Sequence, residues 1–201
     1  MVNELKTGKD LVMELGTSMY GEVFSLHDKD VSEIYQSTYN YFVKRSKGKV
    51  KKGLLVIGGL GVGKSAMMKI MQRIFKDTDS RFRWVNSYDL KDLSELYTVS
   101  QIKEMYGYDL KMDLYIDDIG IAVDVKRYGN TVNIITEILM ERYDLFINSG
   151  FKTHISSNLL TAIASDNNSV PTLKSVYGAR ILDRIKEMTD VIKFKGDSQR
   201  K

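Results

Sequence analysis

The sequence contains no cysteine, and it has only two histidines and one proline among its 201 residues. Without cysteine the chain can form no disulfide, no cysteine-ligated zinc site and no thiol nucleophile. The two histidines, His27 and His154, are too few for a histidine-rich metal site. No run reaches the ~18 consecutive apolar residues of a membrane span, and the segment MVNELKTGKDLVMEL lacks the apolar core of a signal peptide. We therefore expect a cytoplasmic protein with no membrane partner.

The composition is that of a soluble protein with one sizeable domain. Hydrophobic residues make up 43% of the chain and charged residues 28%. The net charge of +4 and the sequence pI of about 9.0 give a mild preference for acidic partners such as nucleic acid. Many soluble proteins carry such a charge without binding nucleic acid, so other features must decide this question.

Residues 1–49 predict a short helical N-terminal region that is a candidate for partner binding. Residues 1–26 show little pattern. Asp30 resembles an N-cap with Glu33 in a capping box, and helical spacing of apolar residues then continues to about Val43. The basic segment 44–53, punctuated by glycine, predicts a solvated connection to the main domain.

From Gly53 onward, short apolar runs alternate with helical patterns. The predicted strands are 54–57, 82–86, 113–116, 153–157 and 190–194. The predicted helices are 64–76, one or two short helices in 90–105, 131–148 and 172–187. Continuous apolar strands separated by helices indicate a parallel sheet covered on both faces. The expected fold is therefore an α/β three-layer sandwich around a five-stranded parallel sheet.

The segment Gly58-Gly-Leu-Gly-Val-Gly-Lys-Ser65 matches the P-loop pattern G-x-x-x-x-G-K-[ST] between a predicted strand and a predicted helix. Its backbone N–H groups would surround the phosphates of ATP, Lys64 would reach the β- and γ-phosphates, and the Ser65 hydroxyl would bind Mg²⁺. The alternative is a glycine-rich turn with a chance lysine. The predicted nucleotide-binding residues are Gly58, Gly59, Gly61, Val62, Gly63, Lys64, Ser65 and Ala66.

Asp117 and Asp118 end the third predicted strand, where an acidic residue beside the P-loop strand would face the nucleotide. In such a Walker B arrangement Asp117 would hold Mg²⁺, and Asp118 would orient or polarise the attacking water. The alternative is an Asp-Asp turn that merely ends the strand. Asp118 is one methylene shorter than a glutamate would be, which leaves the rate of hydrolysis open.

Two further polar positions are candidate catalytic residues. Asn158 follows the fourth predicted strand and could bind the attacking water or the γ-phosphate, or else cap the next helix. Arg180 and Arg184 share one helix face at i and i+4, with Asp183 beside them. Arginine suits neutralisation of a γ-phosphate from a neighbouring subunit, although a surface ion pair would explain the same spacing.

Taken together, the order of these motifs resembles the AAA+ ATPases of the DnaC/DnaI helicase-loader type and the related IstB-type transposition helper ATPases. The likeness covers about residues 50–201, the predicted AAA+ ATPase domain. It rests on the P-loop, Leu-Tyr-Ile-Asp-Asp-Ile-Gly120, Ser-Ser-Asn-Leu159, Tyr177-Gly-Ala-Arg-Ile-Leu-Asp-Arg-Ile185 and Gly196-Asp-Ser-Gln-Arg200. Weaker likenesses are Asn86-Ser-Tyr-Asp-Leu90 and Glu141-Arg-Tyr143.

The resemblance implies roles for particular residues. Asn158 matches the sensor 1 residue, and Arg184 matches an arginine finger that acts on the ATP of a neighbouring subunit, with Arg180 in support. It also implies that no helical lid domain follows the fifth strand. In loaders the N-terminal part contacts the helicase, and here that contact would depend on a helix bearing Tyr35, Tyr39, Tyr41 and Phe42. The alternative is that these rings pack against the ATPase core.

Single-stranded DNA would have two candidate surfaces. The segment Leu90–Tyr108 combines basic and aromatic side chains that suit phosphate contact and base stacking, namely Lys91, Lys103, Tyr97, Tyr106 and Tyr108. Lys126 and Arg127, in the loop after the two aspartates, form a second candidate patch, which would otherwise be a solvated loop.

The leading hypothesis is therefore an oligomeric ATPase that uses ATP and Mg²⁺, binds single-stranded DNA and helps to load a replicative helicase. Three alternatives remain: a transposition helper of the same fold, a small-molecule P-loop kinase, and an adaptor that hydrolyses nucleotide slowly or not at all. A kinase would need an arginine-rich lid over the P-loop, and the sequence shows none.

Overall fold

A parallel sheet forms the centre of the structure, a computed structural model that describes residues 7–121, 123–127, 130–161 and 171–194. The sheet has five strands in the order β2-β3-β6-β1-β7, and β4 pairs with β5 in a separate antiparallel hairpin. The strands are β1 (Gly53–Ile57), β2 (Phe82–Asn86), β3 (Asp113–Ile119), β4 (Asp124–Arg127), β5 (Asn130–Asn133), β6 (Thr153–Ser157) and β7 (Thr189–Lys193).

Eight α-helices lie within the described residues, together with a 3₁₀ turn at Gly21–Val23. They are α1 (Gly8–Tyr20), α2 (Lys29–Ser46), α3 (Lys64–Ile74), α4 (Ser87–Leu96), α5 (Val99–Tyr106), α6 (Ile134–Ser149), α7 (Leu173–Tyr177) and α8 (Ala179–Met188). None of these helices combines the length and the apolar character needed to cross a membrane.

Helices cover both faces of the sheet because successive residues of a strand point to opposite sides. All five residues of β1 are buried. Leu54 and Val56 belong to a core with side chains of α1, α2 and α3, whereas Leu55 and Ile57 belong to a second core with side chains of α4 to α8. This arrangement confirms the predicted α/β three-layer sandwich with a five-stranded parallel sheet.

The aromatic stripe of α2, formed by Tyr35, Tyr39, Tyr41 and Phe42, packs mostly against the core, which was the alternative to a free helicase-binding face. The Phe42 side chain is fully buried, and its ring centroid lies 5.4 Å from those of Phe75 and Phe82. Tyr35 is also buried, and the Tyr41 hydroxyl donates to the backbone carbonyl of Lys52 at 2.6 Å. Most of this stripe is therefore occupied within the chain and does not present a free aromatic face to a partner.

The start of the N-terminal region differs from the prediction. The N-cap of α2 is Asp28, whose Oδ1 accepts from the Val31 backbone N–H at 3.1 Å, so the assignment of the cap to Asp30 was wrong. Asp30 lies in the first helical turn instead, where its negative charge interacts favourably with the helix dipole. The weakly patterned residues before it contain α1, which begins after Thr7 with a reciprocal capping box to Asp10.

Other boundaries differ for identifiable physical reasons. The predicted solvated connection after residue 43 was partly wrong, because α2 continues to Ser46 and Arg45 pairs with Asp113 at 2.9 Å. Gly178, at φ 82°, divides the single helix predicted over 172–187 into α7 and α8. The hairpin of β4 and β5 was not predicted, and α6 begins at Ile134, behind the N-cap Asn133, rather than at Thr131.

Candidate nucleotide-binding site

The P-loop connects the carboxyl end of β1 to the first turn of α3. Gly61 and Gly63 have φ values of 76° and 102°, a left-handed region that side chains with a Cβ rarely adopt. Gly63 is also the N-cap of α3, and no side chain caps this end of the helix. The first backbone N–H groups of α3 therefore remain available, which is the arrangement that binds phosphate at a helix N-terminus.

Lys64 lies at the centre of this loop and is nearly buried, with 6% of its surface exposed. Its Nζ donates to the carbonyls of Gly58 at 2.9 Å and Gly59 at 2.7 Å, and to Asn158 Oδ1 at 2.6 Å. These acceptors compensate a cation that would otherwise be costly to bury. The lysine is thus held between the P-loop and the end of β6, where it can reach a phosphate bound by the loop.

Asp117 lies at the end of β3, directly behind the P-loop serine. Its Oδ1 accepts hydrogen bonds from three hydroxyl groups: Ser65 at 2.9 Å, Tyr115 at 2.8 Å and Ser156 at 2.6 Å. Because Ser65 donates its proton to Asp117, the lone pairs of its oxygen are free to face a cation.

This donor set fits Mg²⁺ better than a metal held entirely by protein side chains. Within the described residues no group of three or more His, Asp or Glu side chains could hold a metal ion. Mg²⁺ typically takes one or two protein oxygens and completes its octahedron with water and substrate phosphates. Ser65 and Asp117 are the residues that would hold it.

Asp118 and Asn158 meet across the ends of β3 and β6. The Asn158 side-chain amide donates to Asp118 Oδ1 at 2.5 Å, while its carbonyl oxygen accepts from Lys64. Asp118 has φ 58°, the one positive value among the described residues other than glycine, and the pairing of β3 with β6 shifts register between Ile116 and Ile119. At this irregular end of the strand Asp117 contacts Ser65 and Asp118 contacts Asn158.

Asn158 does not act as a helix cap among the described residues. The described residues that follow it, 159–161, are not helical, and the cap of α7 is Thr172, whose hydroxyl accepts from the Ser175 backbone N–H. The side chain of Asn158 instead connects the lysine of the P-loop to Asp118. The structure thus brings together five residues predicted from sequence to be catalytic or metal-binding: Lys64, Ser65, Asp117, Asp118 and Asn158.

A cavity of about 460 Å³ opens beside these residues, a size that suits a nucleotide. One wall consists of Leu60–Ala66 with Lys69, Asp118 and Asn158. Gly58 and Gly59 do not line it, and they contribute their carbonyls to Lys64 instead. The opposite wall comes from the N-terminal helices and their connection: Tyr20, Phe24, Ser25, Asp28, Val31 and Tyr35.

Tyr20 and Phe24 could not be identified as site residues from sequence, because the segment that carries them has little periodicity. Tyr35 was recognised only as part of the aromatic stripe of α2. In the structure the Phe24 ring lies 5.7 Å from that of Tyr35 and 6.3 Å from that of Tyr20. The N-terminal region thus forms an aromatic wall of the cavity.

Arg184 does not reach the cavity of its own chain. Its guanidinium lies over the Tyr143 ring, 4.9 Å from the centroid, and its buried Nε has no hydrogen-bond partner among the described residues. The Tyr143 hydroxyl in turn donates to Glu187 at 2.7 Å. Arg180 is exposed on the same helix. Action of Arg184 on a neighbouring subunit therefore stays a prediction.

The predicted DNA surface over Leu90–Tyr108 is only partly available. Lys103 contacts Glu137 at 3.2 Å and Glu141 at 2.9 Å, and its hydrogen bond to Glu141 raises the pKa of Lys103. Tyr106 is buried in the core, so its assignment to this surface was wrong, whereas Lys103 is partly exposed and engaged by the two carboxylates. Lys91, Tyr97 and Tyr108 remain exposed.

The second candidate patch falls within the hairpin. Lys126 and Arg127 lie on β4 and not in an irregular loop. The C-terminal segment Gly196–Arg200 lies outside the described residues.

The strand order, with a P-loop after β1, paired aspartates at the end of β3 and a polar amide after β6, defines the fold of the AAA+ P-loop ATPases. No family model matches the sequence, and no curated protein matches it either. Solved structures do match, and the likeness at these identities concerns the fold.

Three similar structures illustrate this likeness. The DnaC helicase loader is 17% identical, with a TM-score of 0.55 over 87% of this chain and 95% of that one. DnaI is 18% identical, with a TM-score of 0.53 over 88% of each chain. AMPPCP-bound DnaA from Aquifex aeolicus is 14% identical, with a TM-score of 0.56 over 82% of this chain and 47% of that one.

Proposed function

We propose that this protein is an ATPase that acts in DNA replication as a helicase loader of the AAA+ type, assembling on single-stranded DNA and assisting a replicative helicase. The observation that carries the proposal is the convergence of Lys64, Ser65, Asp117, Asp118 and Asn158 at one edge of an AAA+ sheet. The structural likeness to the DnaC helicase loader, over nearly the full length of both chains, supports the replication role.

ATP would bind with its phosphates in the P-loop and its base toward the aromatic wall of Tyr20, Phe24 and Tyr35. The backbone N–H groups at the start of α3 and the Lys64 ammonium would contact the phosphates. Ser65 and Asp117 would hold Mg²⁺, which neutralises phosphate charge when it is bound. Lys64 would exchange its contact with Asn158 for phosphate oxygens.

Hydrolysis would depend on the pair formed by Asp118 and Asn158. Release of Asn158 Oδ1 from Lys64 would leave the amide able to orient the attacking water beside the Asp118 carboxylate. Arg184 of a neighbouring subunit would neutralise the developing charge, since the Arg184 side chain of the same chain lies on Tyr143, away from the cavity. ATP would then act as a removable joint between subunits.

DNA contact would use exposed aromatic and basic side chains on α4, α5 and the loop that follows. Tyr97 and Tyr108 are about two-fifths exposed, and Lys111 lies 3.7 Å above the Tyr108 ring centroid. Rings of this kind can stack on unpaired bases without sequence preference. Lys91 would add a phosphate contact.

The function is tested by measuring ATP turnover with and without single-stranded DNA and a replicative helicase from the same source. We expect DNA and helicase to change the rate several-fold, and Lys64→Ala to abolish turnover. A preference for double-stranded DNA with no response to helicase would favour the transposition helper instead.

The role of Arg184 has a separate test in mixed assemblies. Lys64→Ala and Arg184→Ala should each be inactive alone, but a mixture should regain activity, because one variant supplies the intact P-loop and the other supplies the arginine. Robust turnover by a strict monomer that is unchanged by Arg184→Ala would contradict this arrangement.

One observation favours the slowly hydrolysing adaptor as a second candidate. Asp118 carries a short side chain in a left-handed backbone conformation, and its carboxylate is engaged by Asn158. If this geometry limits hydrolysis, single-turnover experiments will show tight ATP binding with slow cleavage, and Asp118→Glu will accelerate cleavage.

A further inference from the structure

Two buried hydroxyl groups lie beneath the Walker B aspartate, and neither belongs to the residues predicted for the site. Tyr115 and Ser156 are both fully buried. The Tyr115 hydroxyl donates to Asp117 Oδ1 at 2.8 Å, and the Ser156 hydroxyl donates to the same oxygen at 2.6 Å. They approach from the sheet, opposite to the P-loop, because Tyr115 precedes Asp117 by two residues in β3 and Ser156 lies in the adjacent strand β6.

These contacts restrict the orientation of the Asp117 carboxylate. With Ser65, three hydroxyl donors meet at Oδ1, and within the described part of the chain no hydrogen bond reaches the other carboxylate oxygen. The second oxygen is therefore the one left for water or metal.

Ser156 has an additional contact that Tyr115 does not share. Its oxygen accepts the backbone N–H of Asp118 at 2.8 Å while its proton goes to Asp117. Asp118 is the residue with φ 58°, where the backbone needs support from its surroundings. One hydroxyl thus connects the metal-holding aspartate with the backbone of the aspartate that faces Asn158.

We propose that Tyr115 and Ser156 are positioning residues: both orient the Asp117 carboxylate for Mg²⁺, and Ser156 also holds the Asp118 backbone in the conformation needed for hydrolysis. This inference rests on the proposed ATPase function. In metal sites, loss of a group that orients a ligand typically lowers metal affinity or activity by about 10–100-fold.

The test compares Tyr115→Phe and Ser156→Ala with two controls of the same substitution types, each of which removes a hydroxyl that donates to a backbone carbonyl outside the site. Tyr41→Phe loses the hydrogen bond to Lys52, and Ser80→Ala loses one to Phe42. The first readout is binding of a fluorescent, non-hydrolysable ATP analogue with EDTA and over a Mg²⁺ titration. The second is ATP turnover at saturating Mg²⁺.

Both site variants should bind the analogue in EDTA within about twofold of wild type, because the P-loop contacts are unchanged. The Mg²⁺ concentration that gives half-maximal tightening should rise about tenfold. At saturating Mg²⁺, Tyr115→Phe should recover most of its turnover, whereas Ser156→Ala should stay slow because Asp118 has lost its support. The controls should behave as wild type.

Two outcomes would overturn the proposal. Unchanged Mg²⁺ dependence in both site variants, with wild type responding normally to Mg²⁺, would overturn the positioning role alone. A wild type whose analogue binding is indifferent to Mg²⁺ would overturn the proposed ATPase function and this inference with it. If Ser156→Ala does not fold, the nearly isosteric Tyr115→Phe still decides whether the hydroxyls orient Asp117.

Discussion

The ion pair between Arg45 and Asp113 connects the N-terminal region to the sheet, and its removal has a calculable cost. Arg45 Nε donates to Asp113 Oδ2 at 2.9 Å, and the guanidinium donates a second bond to Oδ1 at 3.0 Å. The Asp113 side chain is 1% exposed and that of Arg45 17%. Asp113 also accepts the Lys152 backbone N–H at 2.8 Å. Arg45 is therefore the cation hydrogen-bonded to this buried carboxylate, while Arg142 and Lys152 interact with it electrostatically without a hydrogen bond between the side chains.

Arg45→Ala would leave this carboxylate without the cation that is hydrogen-bonded to it. Breaking a buried pair in this way typically costs ~3–5 kcal/mol of folding stability. Because the Arg45 side chain is partly exposed to solvent, we expect a loss at the lower end of this range, about 3 kcal/mol. With a urea m-value of roughly 3 kcal/mol/M for a chain of this size, the unfolding midpoint should fall by about 1 M.

Urea unfolding can be followed through the single tryptophan, Trp84, whose ring centroid lies 4.5 Å from that of Tyr115 in the sheet. The matched control is Lys44→Ala, an exposed cation in the same last turn of α2, for which we expect a change within ~0.5 kcal/mol. If Arg45→Ala loses no more stability than this control, the pair does not fasten α2 to the sheet and the reasoning is refuted.

Three further predictions follow from the site and the core. Asn158→Ala should lower ATP turnover ~100-fold, with ATP affinity changed only a few-fold, because it removes a group that contacts water or the γ-phosphate during hydrolysis; equal losses in turnover and affinity would contradict this role. Gly63→Ala should weaken ATP binding and lower stability by at least ~1 kcal/mol, since a Cβ is strained at φ 102°, and a wild-type binding curve would refute it. Burial lowers the pKa of His154 to about 4, below its unfolded value of ~6.5, so stability is full above pH ~6.5 and falls by roughly 3 kcal/mol as pH drops to about 4; His154→Gln should flatten a urea-midpoint profile over that window.

The parts of this molecule that could be predicted from sequence are those encoded in short segments. The strands Phe82–Asn86 and Thr153–Ser157 have the predicted bounds, because their aromatic and β-branched residues are local signals for a strand. The P-loop was found for the same reason. The convergence of Asp117 and Asn158 with Lys64 also follows from topology, since the carboxyl ends of parallel strands share one edge.

What could not be predicted depends on contacts between distant residues. Arg45 resembled part of a solvated basic segment, because its partner Asp113 lies 68 positions away. The aromatic wall at Tyr20 and Phe24 has no periodic signature of its own. In the sequence Ser156 is an ordinary small residue of a predicted strand. Its contact with Asp117 becomes visible only when β6 is paired with β3 in the sheet.

The central claim is that the P-loop of this chain binds Mg-ATP through Lys64. It is tested most directly by an equilibrium titration of wild type and Lys64→Ala with a fluorescent ATP analogue in Mg²⁺. Wild type should bind one nucleotide per chain, and the variant should bind at least about tenfold more weakly, because it loses charge-assisted hydrogen bonds to phosphate. Equal affinities, or no saturable binding by wild type, would contradict the account.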